Sequence, residues 1–383
     1  MDSALEKSLG LIIFIVIGIL LKKRFVHKQE VNGLKHLILI LTLALPATIF
    51  IALLKIKIDA DLIILPLFAL LFNTLLFVLT PLLLSLTGIS RKSAKGNTVR
   101  LLLPSLAPGL SCFPFILEFL GDPFLAKAAM ADLGNKFFVL FVLYLVAIRW
   151  HYQNDHLKKE PLQNKLVSLL KSLITEPVNL FIFSALILIS FGITLTDFPN
   201  VIRTVLNRLS IIMTPLVLLF IGLALKFKKK LFFQIFSLLM LRASAALFIV
   251  AAVVGILDIP VTGDILFMLA FALSACSFWP FAHISGIAYK EKDLNPESHT
   301  FNLDIAMAVL ALSLPLSVFL ILTVLTSGDT FADIGNIVLL AVVLFSLGSI
   351  QPLMHWYKSI NAQAKPKEDK IPANVRMSNN EVR

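Results

Sequence analysis

Residues 62–86 contain no charged side chain and one amide, Asn73. A helix needs about 20 apolar residues to cross the hydrocarbon of a bilayer, so this stretch suffices. Runs of similar length and character recur along the chain. In hydrocarbon every backbone N–H and C=O must be paired within the protein, which leaves helices and closed barrels. Barrel strands alternate apolar and polar residues over segments of about 10. Unbroken runs therefore predict an all-α integral membrane protein. Composition agrees: 58% of residues are hydrophobic and 15% charged, against roughly 45–50% and about 25% in soluble domains.

Eleven candidate spans follow, near 9–21, 34–54, 62–86, 101–121, 125–148, 178–195, 209–225, 232–257, 264–289, 298–325 and 334–354. With the N-terminus outside and the spans alternating, 26 of the 34 lysines and arginines fall on the inner side. Such a bias sets orientation, so the C-terminus is expected in the cytoplasm and the protein in the plasma or inner membrane. Arg100 is counted there among the inner loop charges, while Lys136 and Arg242 fall within spans. A net charge of +11 then needs no nucleic-acid partner. The first apolar run lacks a small-residue cleavage site and is read as a span, not a cleavable signal. The two cysteines, Cys112 and Cys276, form no metal-ligand spacing and no disulfide framework.

Breakers within the spans recur at a nearly constant offset. Pro46 and Pro215 are 169 apart, Pro114 and Pro280 166, Asn135 and Asn302 167, and Cys112 and Cys276 164. Five spans per copy is an odd number, so the second copy is inverted. The expected organisation is a first repeat over 1–148, an amphipathic cytoplasmic linker over 149–177, and a second repeat over 178–325. An added span over 326–358 and a disordered tail over 359–383 complete it. Proline within a helix removes one hydrogen bond and crowds the preceding turn, which a membrane helix tolerates only beside protein, water or ligand. Pro104, Pro108, Gly109 and Pro114 mark a broken span four. Pro280, with Ser274, Ser277 and Gly286, marks a broken span nine. Half-helices starting at Pro114 and Pro280 would offer free N–H groups to an anion at mid-depth, as in inverted-repeat transporters.

Several motifs also carry a family likeness: Gly18 to Arg24, Leu45-Pro46, Gly109 to Pro114, Asp132 to Asn135, Thr214-Pro215 with Gly222, Trp279 to Ala282, and Leu314-Pro315. In this order and spacing the chain resembles the auxin efflux carrier family of PIN-like permeases, over about residues 9–325. The resemblance implies ten core helices in two inverted repeats, crossed broken helices in spans four and nine, and a scaffold against which a transport part moves. That fold is similar to the bile-acid/sodium symporters. The family's Asn-x-Gly-x-x-Gly-x-Pro pattern is altered here, with Ala107 and Cys112 at its Asn and second Gly.

The expected function is secondary transport of a small organic anion, with proton, sodium or the substrate gradient as the driving force. A sodium-coupled symporter-like uptake carrier is the nearest alternative. Candidate substrate contacts are Ser111, Pro114, Asn135, Ser277, Pro280 and Asn302. Coupling candidates are Asp132, Lys136, His283 and Asp304. Asp132, Asn135 and Lys136 share a helical face, and a structural ion pair stitching span five to its neighbours is the alternative role. His283 is either a proton carrier or a hydrogen-bonded structural residue. Asn302 and Asp304 serve either the site or a helix end. Arg242 either snorkels to the inner surface or faces an aqueous cavity. Asn73 is expected to make an interhelical hydrogen bond. No Walker A, HExxH or Ser/His nucleophile pattern is present, so neither an ATP-driven pump nor an enzyme is expected, and no cofactor. A membrane sensor would need an output domain. The lipid bilayer is the surrounding partner, and a homodimer fits the reading as well as a monomer does.

Overall fold

A computed structural model describes residues 3–24, 43–55, 60–154, 162–224, 231–293 and 298–364. These residues form α1 (Ser3–Arg24), α2 (Leu43–Leu54), α3 (Ala60–Leu86), α4 (Ala94–Leu102), α5 (Pro108–Ser111), α6 (Phe113–Leu120), α7 (Asp122–Phe137) and α8 (Leu143–Asn154). After them come α9 (Leu162–Thr175), α10 (Pro177–Ser190), α11 (Asn200–Ala224), α12 (Phe232–Leu257), α13 (Thr262–Ala272), α14 (Phe278–Lys290), α15 (Leu303–Thr326) and α16 (Ile334–Ala364). No strand occurs among the described residues.

Six of these stretches are long and apolar enough to cross a membrane, and the chain is a multi-pass helical membrane protein. At 1.5 Å per residue, the 27 residues of α3 extend about 40 Å, more than the roughly 30 Å of a hydrocarbon core. Its outer face carries Ile63, Leu67, Leu71 and Val78, all exposed, which suits contact with lipid. Within the stretch expected as a linker, residues 149–154 continue α8, and α9 is bent by 65° against α10 at Glu176. The last helix runs to Ala364, past the 358 boundary expected for it, and the remaining tail lies outside the described residues.

Helix is interrupted at both expected places, but in the first the helix resumes at Pro108 and not at Pro114. Helix α4 ends at Leu102 and the chain resumes helix at Pro108, so the irregular segment is 103–107, not the turn before Pro114. Pro108 sits at the first position of α5, where its missing N–H costs nothing. Pro114 lies in the first turn of α6, after a kink at Cys112. The second interruption, 273–277, separates α13 from α14, and Pro280 falls in the first turn of α14.

Close backbone approach holds two helix pairs. A Cβ on Gly134 of α7 would clash with the Pro66 carbonyl of α3. On α1 and α11, Gly18 and Gly222 face each other so closely that a Cβ on Gly18 would meet Leu219 O at 2.5 Å. Small residues let membrane helices pack in this way, by van der Waals contact where no hydrophobic force between helices operates. The longest apposition joins α12 and α16, where Ser237 donates to Gly348 O and Ser244 to Ala341 O at 2.8 Å.

Candidate functional site

The two irregular segments meet. Ala107 N–H donates to Ala275 O at 2.8 Å. Ala275 N–H donates to Ser111 Oγ at 2.9 Å and Ser277 N–H to Ser105 Oγ at 3.0 Å. Each break thus supplies partners for backbone groups that the other leaves without a helix. Unpaired, each such buried group would cost about 1–3 kcal/mol.

Neighbouring helices complete the pairing. Asn135 of α7 accepts from Leu106 N–H at 3.2 Å and donates to Leu106 O at 2.9 Å. Its second N–H reaches Asp132 Oδ1 at 2.8 Å, and its oxygen also accepts from Asn73 Nδ2 of α3 at 2.9 Å. The expected interhelical bond of Asn73 is therefore present, while Asn73 Oδ1 is buried with no partner. An amide offers two donors and two lone pairs. All four positions of Asn135 are taken by protein.

Arg242 of α12 makes the other large contribution. Its Nε donates to Leu103 O at 2.6 Å and Nη2 to Ser105 O at 3.1 Å. It is 3% exposed, so it neither snorkels nor faces a cavity. It caps carbonyls at the C-terminal end of α4, where the helix dipole favours a cation.

Lys136 follows Asn135 in sequence but points to other partners. Its ammonium lies 3.0 Å from Glu176 Oε1, 3.0 Å from Asn179 Oδ1 and 3.4 Å from Asp132 Oδ2. This ties α7 to the α9–α10 bend, the structural arrangement that span five's polar face allowed. Just beyond it, residues 138–142 form a π-helical turn, a widened turn often found near functional sites. The ring Nε2 of His283 is 3.0 Å from Val139 O within that turn. A carbonyl can only accept, so Nε2 carries the proton.

The remaining candidates separate. Ser111 donates to Ala107 O at 2.8 Å while accepting from Ala275. Ser277 caps α14 by accepting from Trp279 N–H at 3.3 Å. Pro114 and Pro280 are buried beside the breaks. Asn302 is not the counterpart of Asn135. It is the N-cap of α15, accepting from Ile305 N–H at 2.9 Å. Asp304 is exposed in the first turn of that helix. The hydroxyl of Ser313 in α15 accepts from Cys276 N–H in the second break at 3.3 Å. Cys112 is buried and hydrogen-bonded to Ser274.

A cavity of about 490 Å³ opens between α3, α12 and α13. Phe72, Leu75, Val253 and Phe271 help line it, and Ala272 carries it to the second break. Its polar edge is the Lys127–Asp264 ion pair, 2.5 Å apart. With both charges already paired, the cavity suits hydrocarbon and not a carboxylate. Residues missed by sequence reasoning are Ser105, Glu176, Asn179 and Ser313. The serines gave no signal because hydroxyls are common in membrane helices, and Glu176 and Asn179 fell at a linker boundary. No family model matches the chain, and no curated protein matches it. Among the described residues no cluster of His, Cys, Asp or Glu could hold a metal ion.

Proposed function

We propose that the chain is a secondary carrier of a small organic anion, working by alternating access. The observation that carries this reading is the pair of helix interruptions hydrogen-bonded to each other within a multi-pass membrane protein. Irregular backbone at membrane depth is expensive, and transporters use it where a solute must meet main-chain groups.

Two inverted repeats and crossed broken helices belong to the same proposal. Their support is a shared succession: long helix, broken helix, long helix, in α3 to α8 and again in α12 to α15. Asn135 and Ser313 play matching parts in it, each receiving a backbone N–H of the nearby break. In the conformation described, protein groups occupy the positions that a substrate would use. The anion then enters by replacing some of these bonds, and Asn135 acts mainly by holding the shape of residues 103–107. An enzyme reading has less support, since the polar side chains around the breaks are engaged with main chain and with one another.

The test is counterflow in proteoliposomes preloaded with indole-3-acetate, benzoate or succinate, adding the same compound in labelled form outside. Transient accumulation above empty liposomes for one of them is expected. Absence of accumulation for all three, with accumulation of a cationic or neutral solute instead, contradicts an anion carrier.

A further inference from the structure

Arg100 stands in the last turn of α4, just before the first break. Its guanidinium carbon lies 4.5 Å from the centroid of the Trp150 ring and 5.9 Å from that of Phe77. Nε is buried and has no hydrogen-bond partner. Among the described residues no carboxylate forms an ion pair with it. Its charged neighbour is another cation, Arg91, which is itself bonded to Ser85 Oγ.

Arg242 is buried, yet its donors end on two carbonyls. Arg100 carries the same fork of donors with a buried N–H left over. Arg100 is part-buried and its Nε finds no partner within the fold, so an acceptor that reaches the guanidinium makes a hydrogen bond that the protein does not supply. Two aromatic rings fix the guanidinium plane, and these rings are themselves held, Trp150 by Phe301 and Phe77 by Phe138, each at 6.4 Å between centroids. A stacked arginine loses little freedom on binding a planar pair of oxygens, which is the recognition for which arginine differs from lysine.

We propose that Arg100, backed by Trp150 and Phe77, is an anion-binding site for a carboxylate or phosphate group on the α4 side of the first break. The anion comes either from a soluble carboxylate, in which case the site deepens the carrier reading and rests on it, or from a lipid headgroup. The site itself exists whether or not the chain transports.

The chain has three tryptophans, so Trp279→Phe and Trp356→Phe leave Trp150 as the reporter. Its emission is followed during succinate titration in phosphatidylcholine nanodiscs, and after exchange into nanodiscs containing phosphatidylglycerol. A saturable change with succinate identifies a solute site. A change on adding phosphatidylglycerol, with no response to succinate, identifies a headgroup site. In either case Arg100→Gln should weaken the response roughly 10- to 100-fold, the range for one charge-assisted hydrogen-bonded contact. Arg100→Lys and Phe77→Leu should each weaken it less, and they serve if Arg100→Gln does not fold. No change in either arm for the folded parent, or unchanged affinity in the folded variants, overturns the site. Because the readout is binding, a failure here leaves counterflow untouched, and a failure of counterflow leaves this result standing.

Discussion

Asn135 holds Leu106 by both of that residue's main-chain polar groups, accepting from its N–H at 3.2 Å and donating to its C=O at 2.9 Å. One side chain thereby replaces the two helix bonds that Leu106 gives up in the first break. The amide is fixed in turn by Asn73 and Asp132, so its orientation is set by four hydrogen bonds to three residues.

Replacing Asn135 by Ala should therefore lower stability before it touches any ligand. It orphans a buried N–H and a buried C=O at about 1–3 kcal/mol each, and frees Asp132 and Asn73 as well. Thermal unfolding of the purified variant in detergent should shift down by several degrees. An unchanged midpoint would show that the break does not depend on this amide.

Lys136 stands among two carboxylates and an amide. Removing the cation alone leaves Asp132 and Glu176 facing each other in a poorly solvated place, which is more harmful than removing a pair. Lys136→Met should be markedly destabilised, and Lys136→Met with Glu176→Gln less so. A double variant no better than the single would mean that the two groups are not coupled.

Both cysteines are buried, Cys112 at 0% and Cys276 at 4% exposure, and they adjoin the paired breaks. A membrane-impermeant maleimide should label neither quickly in the conformation described. Labelling that rises on adding a transported anion would report a second conformation. Fast labelling at rest would contradict the burial.

Outside the spans, Thr194 donates to Asp197 Oδ2 from its N–H at 2.8 Å and its hydroxyl at 2.9 Å. The backbone bond, then the side-chain bond, hold this exposed carboxyl below the usual carboxylate range. A carboxyl lowered on folding stabilises the turn above its unfolded pKa and loses that contribution as pH falls through the folded one. Hydrogen-exchange protection at Thr194, corrected for intrinsic rates, should therefore decline on acidification. In Asp197→Asn it should be weak at all pH values.

Much of this arrangement could be read in advance where a single physical cause dominated. Apolar runs such as 62–86 located the crossing helices, because nothing else satisfies a backbone in hydrocarbon. Asn73 could be assigned an interhelical bond on the same ground. The start of the half-helix could not be read from Pro114, since proline is as comfortable in the first turn of a helix as at its interruption. Pro104 and Pro108, named with it, lie within the break and at its end. Asn302 was matched to Asn135 by a constant offset, yet it stands at the start of α15 as its N-cap, where a side-chain amide is bound by the helix's own N–H groups. Arg100 looked like a loop charge because only tertiary structure places Trp150 and Phe77 over it.

We propose that in such a carrier the part containing the breaks moves against α1 and α11, the helix pair that meets at Gly18 and Gly222. Lys7 of α1 donates to Glu118 O of α6 at 2.9 Å, and both residues retain solvent exposure. In a background with Cys112→Ser and Cys276→Ser, Lys7→Cys and Glu118→Cys can be joined by a short bis-thiosulfonate. Anion counterflow in proteoliposomes should be lost once the link forms and return on reduction. Counterflow that persists at full cross-linking would contradict the movement.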